Sequence, residues 1–276
     1  MPSPDISLLS IGGLSLAIDQ KPVAGLPKNY RPFLSSGIAS HTIKYDPQQY
    51  DHIPIYHDDS LNIDILEFSK DREIIELRNL PPQCQIIFSS DRTALHNYGA
   101  TPFPPPPVIL ASMIRFLKGK GIFMHAFAGI YKNDGFVFCG TSESGKTTLA
   151  KKWGAQDVTV LCDERIIITE GNNGFNVHAS PWPGDLDLIN NKTAPLKFIA
   201  VLKPSGPAMD RIADFAEFVP LVLPLTYHRP WDEEFTFFTL SIFGRIFEKI
   251  PVFSVNREKV DSPSQFFSKI ISPSII

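Results

Sequence analysis

Cysteine is scarce in this sequence. Its 276 residues include three, Cys84, Cys139 and Cys162. A number that is small and odd excludes the disulfide framework that stabilises many small secreted domains. Two of the three lie in apolar runs that are typical of buried strands, so buried thiols are the simplest interpretation. We therefore expect a protein of a reducing compartment, and the cytoplasm is the expected location.

The chain also lacks an excess of positive charge and lacks long apolar runs. Its formal net charge is -3 and its pI is about 6.2, so no electrostatic attraction to nucleic acid or to an anionic membrane is expected. No uncharged apolar run approaches the ~18 residues of a membrane span. The first residues lack the basic segment of a signal peptide. We expect a soluble protein with neither a nucleic-acid nor a membrane partner.

Short apolar or alternating runs, separated by Pro, Asp and Asn clusters, fill the first hundred residues and predict a β-rich region. This region ends at residue 107, in a proline-rich segment, 101–107, where consecutive prolines favour extended geometry. A stiff connector is the favoured interpretation of this segment, and a ligand for a recognition domain is the alternative. Residues 108–276 alternate strand-like and helical runs, which predicts a second, α/β domain.

Residues 140–148 read Gly-Thr-Ser-Glu-Ser-Gly-Lys-Thr-Thr and match the phosphate-binding loop pattern G-x-x-x-x-G-K-[ST]. In such a loop, backbone N–H groups and the N-terminus of the following helix face one anion. The lysine contacts the β- and γ-phosphates, and the next hydroxyl contacts Mg²⁺. We predict that a nucleotide is bound by nine residues: Gly140, Thr141, Ser142, Glu143, Ser144, Gly145, Lys146, Thr147 and Thr148.

The flanks of this loop fit the motif. The apolar run 135–139 predicts a buried strand before it, and 147–153 predicts a helix after it that meets Gly154. The run 122–131 predicts a further strand, joined to 135–139 by a hairpin. The alternative, a glycine-containing turn that binds nothing, is disfavoured by this strand–loop–helix context.

Two acids and one histidine are the candidate catalytic residues. Asp163 and Glu164 come after the apolar run 158–162, only 17 positions after Lys146. We expect that strand to emerge beside the strand before the loop, which places its terminal carboxylates next to the terminal phosphate. One could then bind Mg²⁺ while the other accepts a hydroxyl proton. A pair of solvated acids at a strand end is the alternative. His125 is predicted to return to the same end of the sheet, as a hydrogen-bond partner of the acid or as an ordinary core residue.

Besides the loop, the two acids and the histidine, the sequence predicts a rigid turn. The sequence His-Ala-Ser-Pro-Trp-Pro-Gly, residues 178–184, comes after a predicted strand, and Gly184 permits close backbone approach. Its Trp182 is compatible with stacking on a base, with closing a pocket, or with packing in the core. The spacing of these residues does not choose between the three roles.

From Phe123 to Glu164 the chain resembles the catalytic core of the HPr kinase/phosphorylase family, which is related to PEP carboxykinase. Members of that family have a Met-His-Gly strand, a Gly-x-Ser-Gly-x-Gly-Lys-[Ser/Thr] loop and a pair of acids after the next strand. Met124-His125, the loop 140–147 and the acid pair 163–164 match that pattern without a gap. The stretch 178–184 is more similar to small HPr-kinase-like proteins encoded near peptide-modification systems. Close similarity covers about a quarter of the chain.

The resemblance implies a fold and a set of roles. It implies an α/β fold with a P-loop core of mixed sheet and helices, and ATP with Mg²⁺ as cofactors. Asp163 is implied as the catalytic base, His125 as the active-site histidine and Lys146 as the phosphate contact. The implied metal residues are Thr147, Asp163 and Glu164. Hexamers are typical of the resembled kinases, so the resemblance implies a homo-oligomer. No feature of the sequence itself indicates such an assembly.

The sequence departs from the family pattern at several positions. Glu143 stands where the family has glycine, Ala126 replaces the glycine after the histidine, and Thr148 replaces an acid. Glu164 replaces the second aspartate. No counterpart of the downstream Arg-Gly segment is present, so the resemblance does not extend to phosphorylase activity or to HPr as the substrate.

We therefore predict an ATP- and Mg²⁺-dependent phosphotransferase that acts on a Ser or Thr hydroxyl of a small protein or peptide. A small-molecule kinase is a variant of this prediction, because no motif identifies the acceptor. Two other classes stay open. One is a nucleotide-binding regulator without transfer activity, in which Glu143 and Thr148 impair the site. The other is an interaction protein whose partner binds the N-terminal region.

Overall fold

The computed structural model describes residues 6–19, 26–45, 54–58, 63–69, 72–78, 84–89, 92–96, 106–260 and 262–271. It is an α/β structure that divides into two compact units, residues 1–116 and 117–276. Most of the predicted proline-rich connector, residues 101–105, lies outside the described residues. Pro106 and Pro107 instead begin a helix, which belongs to the first unit.

Among its described residues, the first unit contains one sheet of eight strands in the order β1-β2-β3-β8-β7-β6-β5-β4. Its strands are β1 (Ile6–Ile11), β2 (Leu14–Asp19), β3 (His41–Tyr45), β4 (Tyr56–Asp58), β5 (Ile63–Phe68), β6 (Arg72–Leu77), β7 (Cys84–Ser89) and β8 (Arg92–His96), and its helices are a 3-10 helix at Lys28–Phe33 and α1 (Pro106–Phe116).

The helix α1 belongs to this unit through polar as well as apolar contacts. Arg115 Nη1 donates to Glu73 Oε2 at 3.2 Å, and the Glu73 side chain is fully buried. The guanidinium also lies over the Phe88 ring, 5.2 Å from its centre. A buried carboxylate needs such a partner, because an unpaired charge in the interior is very unfavourable.

The second unit contains nine strands and four α-helices among its described residues. They are β9 (Gly121–Tyr131), β10 (Asp134–Cys139), α2 (Lys146–Gly154), β11 (Val158–Cys162), β12 (Arg165–Gly171), β13 (Gly174–Ala179), β14 (Thr193–Lys203), β15 (Met209–Arg211), α3 (Phe215–Val222), β16 (Thr226–Tyr227), α4 (Glu233–Lys249), β17 (Val252–Asn256) and α5 (Pro263–Ile271), with short 3-10 turns at Leu223–Leu225 and Arg257–Lys259.

The long strand β9 organises the sheet of the second unit. Its first half pairs with β12 and β16, and its second half pairs with β10 and β11. The strand β10 also runs parallel to β14, which continues to β17. The sheet is therefore mixed, because it contains both parallel and antiparallel pairs. The predicted hairpin between 122–131 and 135–139 is confirmed by the β9–β10 register.

One detail of the predicted strand order is wrong. We expected the strand before the acids to lie beside the strand before the loop, but β9 lies between them, because both β10 and β11 pair with β9. Both strands are antiparallel to β9, so they run in the same direction. Their carboxyl ends, at Cys139 and Cys162, therefore still reach the same edge of the sheet.

Aromatic packing fixes α2 on this sheet. Trp153 on α2 is fully buried and meets the rings of Phe136 and Phe138 edge-on, at centroid distances of 5.1 and 5.0 Å. Phe266 and Phe267 of α5 cover the same cluster. Such ring pairs contribute about 0.5–1.5 kcal/mol each beyond the area they bury. The helix after the loop therefore has a defined position. None of the helices in the described residues combines the length and the apolar character that a membrane crossing requires.

A buried histidine connects β12, β13 and β14. The two ring nitrogens of His178 lie 2.7 Å from Thr169 Oγ1 and 2.8 Å from Thr193 Oγ1. Burial lowers the pKa of His178 from 6.5 to about 4. The ring is therefore neutral in the folded protein at pH values where the unfolded chain is already protonated.

We expect the free energy of unfolding to fall as the pH drops from 6.5 towards 4, by about 3 kcal/mol in total from this one group. Stability is lost because the unfolded chain binds a proton in this window and the folded chain does not. Replacing His178 with Gln removes the titrating group, so urea unfolding of His178→Gln between pH 7 and 4.5 should show a shallower pH dependence. An unchanged slope would contradict the assignment.

Candidate functional site

The loop 140–148 lies between the end of β10 and the start of α2, at one edge of the sheet. Gly145 precedes the helix with φ of 97°, a left-handed conformation that glycine adopts without strain. It supplies no capping side chain, so the helix begins at Lys146 with its first N–H groups directed towards the loop. The positive end of the α2 dipole therefore faces this edge.

Lys146 is the central residue of the loop. Its side chain is buried, and its Nζ donates to the carbonyl oxygens of Gly140 and Thr141 at 2.9 and 3.0 Å. Burial lowers the pKa of Lys146, and the nearby Glu164 partly opposes this effect. Within the described residues, no carboxylate lies within ion-pair distance of this ammonium group. A buried cation held by neutral carbonyls is a favourable position for an anionic ligand.

The surroundings of the Ser144 hydroxyl indicate whether a phosphate fits the loop. Ser144 is buried, and its Oγ has no hydrogen-bond partner in the part of the chain that the structure describes. A Cβ added at Gly140 would lie only 2.7 Å from this oxygen. Glycine is therefore required for the loop to close around the hydroxyl. An unsatisfied donor of this kind, beside a buried ammonium, fits a ligand rich in acceptor oxygens.

Glu143 lies at the rim of the loop. Its φ is 62°, an unusual value for a residue with a side chain. The Glu143 carbonyl accepts a hydrogen bond of 2.8 Å from Arg257 Nη1, a residue 114 positions away. The residue is exposed, so its carboxylate does not fill the loop.

His125 and Glu164 form the opposite wall. Together with Lys146 and Thr147 they line a cleft of about 340 Å³. His125 Nδ1 lies 3.2 Å from Glu164 Oε1, and both side chains remain partly exposed. Burial lowers the pKa of His125, with the charge of Lys146 as the next cause, while Glu164 raises it. A neutral imidazole can thus donate a hydrogen bond to the Glu164 side chain.

Asp163 lies behind this wall and does not line the cleft. It is 1% exposed, and its Oδ1 and Oδ2 accept hydrogen bonds from the backbone N–H groups of Gly184 and Leu186, at 2.9 and 3.4 Å. A Cβ at Gly184 would lie 2.8 Å from Asp163 Oδ2, so only glycine allows this approach. The two adjacent acids therefore face different surroundings. The catalytic and metal-binding roles predicted for Asp163 stay predictions, and this placement does not favour them.

The contact between Asp163 and the turn brings a further acid to the cleft. Asp185 directly follows Gly184, is exposed, and lines the same cleft as Glu164 and Lys146. It was missed at the level of sequence because the predicted turn ended at Gly184. The signal was present, since an acid that follows a rigid Pro-Trp-Pro-Gly turn has a defined position. Trp182 itself is buried and meets the Phe123 ring edge-on at 5.5 Å, which makes it a packing residue.

A divalent cation would need ligand oxygens as well as protein oxygens. In the residues described, no three His, Cys, Asp or Glu side chains are grouped closely enough to hold a metal ion. Thr147 lies in the first turn of α2 and lines the cleft with Glu164 and Asp185. One hydroxyl and one or two carboxylates are the usual protein share of a Mg²⁺ site that phosphates complete.

Asp163→Asn is expected to lower the free energy of unfolding by about 1–3 kcal/mol, because one of the two acceptor oxygens would be replaced by an NH₂ donor, which leaves one of the two backbone N–H groups without an acceptor. Chemical denaturation measures this loss. Asp185→Asn is the matched control, since an exposed side chain should change stability by at most about 0.5 kcal/mol. Equal stability of both variants would show that Asp163 does not hold the turn.

Two of the three comparisons with known proteins find no match. No protein-family model matches the chain, and no curated protein matches it. Among solved structures, the chain is similar to the HPr(Ser) kinase/phosphatase from Coxiella burnetii, with 12% sequence identity and a TM-score of 0.30, over 54% of this chain and 93% of that chain. A likeness of this size assigns no function, so any functional conclusion has to rest on the geometry of the cleft.

Proposed function

We propose that the protein binds a nucleoside triphosphate at the loop 140–148 and transfers its γ-phosphoryl group to a hydroxyl group. The observation that carries this proposal is the buried ammonium of Lys146. It lies at the N-terminus of a helix, beside the unsatisfied Ser144 hydroxyl, and across one cleft from a paired histidine and glutamate. Cation, helix dipole and free donors all favour a bound polyphosphate.

Glu164 is the carboxylate that we assign as the proton acceptor. It faces the cleft, whereas both oxygens of Asp163 are engaged by backbone N–H groups. His125 contacts Glu164 at 3.2 Å and orients it. A hydroxyl entering between Glu164 and the loop would lose its proton to Glu164 as its oxygen bonds to phosphorus, and the leaving diphosphate would stay on Lys146. General-base assistance of this kind contributes about 10²–10⁴-fold in rate.

Thr147 and Asp185 are the residues that we assign to Mg²⁺, because both line the cleft and neither is engaged as Asp163 is. When bound, Mg²⁺ supplies charge neutralisation at the transferring phosphate. Thr147 offers its hydroxyl from the first turn of α2, and Asp185 offers a carboxylate from the turn that Asp163 holds.

The acceptor that we propose is a Ser or Thr hydroxyl of a small protein or peptide. Thr141, Ser142 and Glu143 are exposed at the rim, and Glu164 is partly exposed. Within this unit the cleft is therefore accessible to a side chain that projects from a larger molecule. A small-molecule hydroxyl would use the same base and the same loop.

A nucleotide-binding regulator is the second candidate, and Glu143 is the observation that favours it. Its carboxylate stands at the rim of a loop that is proposed to hold anions, and it borders the cleft. Repulsion between this carboxylate and a triphosphate would weaken binding or displace the γ-phosphate. Such a protein would bind ATP with Mg²⁺ and release no ADP.

Lys146→Ala is expected to weaken ATP binding at least about 100-fold, because it removes the one buried cation of the loop and its charge-assisted contacts with phosphate. Isothermal titration calorimetry with ATP and Mg²⁺ measures the change. Lys151→Ala, at an exposed position of the same helix, is the control and should bind as the unaltered protein does. Equal affinities of the Lys146 variant and the control would rule out a phosphate site at this loop.

Glu164→Gln is expected to keep ATP affinity and to lower phosphoryl transfer at least about 100-fold, because the amide cannot accept the hydroxyl proton. Transfer is measured as ADP release and as labelled phosphate on a pool of Ser- and Thr-containing peptides. Glu248→Gln, an exposed position on α4, is the matched control. A Glu164 variant with full activity would exclude this base. Binding without any turnover in the unaltered protein would favour the regulator.

A further inference from the structure

A second cavity adjoins the cleft at the loop and the first turn of α2. Its volume is about 320 Å³, within the range of small-molecule sites. It shares Glu143, Gly145 and Thr148 with the cleft that contains Lys146 and Glu164. A ligand that occupies the cleft can therefore extend past the start of α2 into this second cavity without leaving the surface of the loop.

The walls of this cavity differ from those of the cleft. Three aliphatic side chains from separate elements form its apolar part: Leu149 of α2, Leu202 of β14 and Val260, which comes after the last strand and its 3-10 turn. Charged side chains, Lys152, Glu258 and Arg257 among them, stand around it. Apolar walls with a few polar groups at the edge suit a flat, partly apolar ring system.

Hydrogen bonds across the cavity hold its walls together. Arg257 Nη1 donates to the Glu143 carbonyl at 2.8 Å, and Lys152 Nζ donates to the Val260 carbonyl at 2.8 Å. The first bond connects the loop, and the second connects α2, to the segment after β17. The cavity is therefore formed by the fold itself, so little ordering is left for a ligand to induce.

We propose that this cavity receives the nucleoside of the phosphoryl donor, with the base against Leu149, Leu202 and Val260. The inference rests on the proposed function, because it needs the triphosphate in the neighbouring cleft. Neither His125 nor Glu164 lines the second cavity. The acceptor hydroxyl must reach Glu164, so it enters from the Glu164 and Asp185 side. Donor and acceptor would thus reach the phosphate from different cavities, an arrangement that is compatible with in-line transfer.

The test compares ATP with tripolyphosphate, both with Mg²⁺, by calorimetry on the full chain. Tripolyphosphate has the anionic tail and lacks the nucleoside. We expect ATP to bind the unaltered protein at least tenfold more tightly than tripolyphosphate. This comparison needs no variant, so it remains decisive even if a substitution fails to fold.

Two variants of the 3-10 turn Arg257–Lys259 then locate the effect. Glu258→Trp places a large side chain at the cavity and should lower ATP affinity to that of tripolyphosphate, while tripolyphosphate affinity stays unchanged. Lys259→Trp adds the same bulk at the next position, which does not line the cavity, and should bind ATP normally.

The outcomes separate this inference from the proposed function. Equal affinity of the unaltered protein for ATP and tripolyphosphate, or normal ATP binding by Glu258→Trp, would overturn the nucleoside site and leave the phosphate site in place. Failure of the unaltered protein to bind either ligand would overturn the proposed function, and the nucleoside site with it.

Discussion

The structure of the cleft depends on one buried cation. The Lys146 ammonium group holds the carbonyls of Gly140 and Thr141, and so it closes the loop around itself. That arrangement engages two of the three donors of the ammonium group with neutral carbonyls, and among the described residues no carboxylate lies within ion-pair distance of it. An anion supplied from outside would correct this imbalance, because the desolvation that lowers the lysine pKa is offset by a nearby negative charge. The cation that closes the loop is therefore also the group that would favour a bound anion.

Two neighbouring acids illustrate how burial divides roles between residues of similar chemistry. Asp163 is enclosed and accepts two backbone N–H groups, whereas Glu164 is partly exposed and contacts His125. The first defines the position of the turn that carries Asp185. The second presents a carboxylate to the cleft. Neither acid could replace the other, because each function depends on what the side chain faces.

Much of the cleft could be predicted from local patterns. The nine loop residues, the strand before them and the helix after them are contiguous, and local chemistry determines such segments. The convergence of His125 and Glu164 on the loop also followed from the hairpin and the strand direction. The position of β9 between β10 and β11 could not be read in this way, since strand order depends on long-range pairing.

The orientation of Asp163 was equally beyond local patterns, because it depends on the close approach of Gly184, 21 positions later. The fold of residues outside the described ranges, including most of the proline-rich segment, stays a prediction. Asp185 was missed for a simpler reason. The position of its carboxylate depends on the turn before it, and the buried Asp163 holds that turn through backbone hydrogen bonds.

The bond from Arg257 to the Glu143 carbonyl has a consequence for recognising related proteins. A residue 114 positions downstream of Glu143 donates the hydrogen bond that holds the rim of the loop. A fragment that ended at β17 would therefore retain all nine residues of the motif but lose this hydrogen bond. Identity of a short signature and identity of its shape are thus separate properties. A homologue with the same letters and a different residue at position 257 would present a differently shaped rim to its ligand.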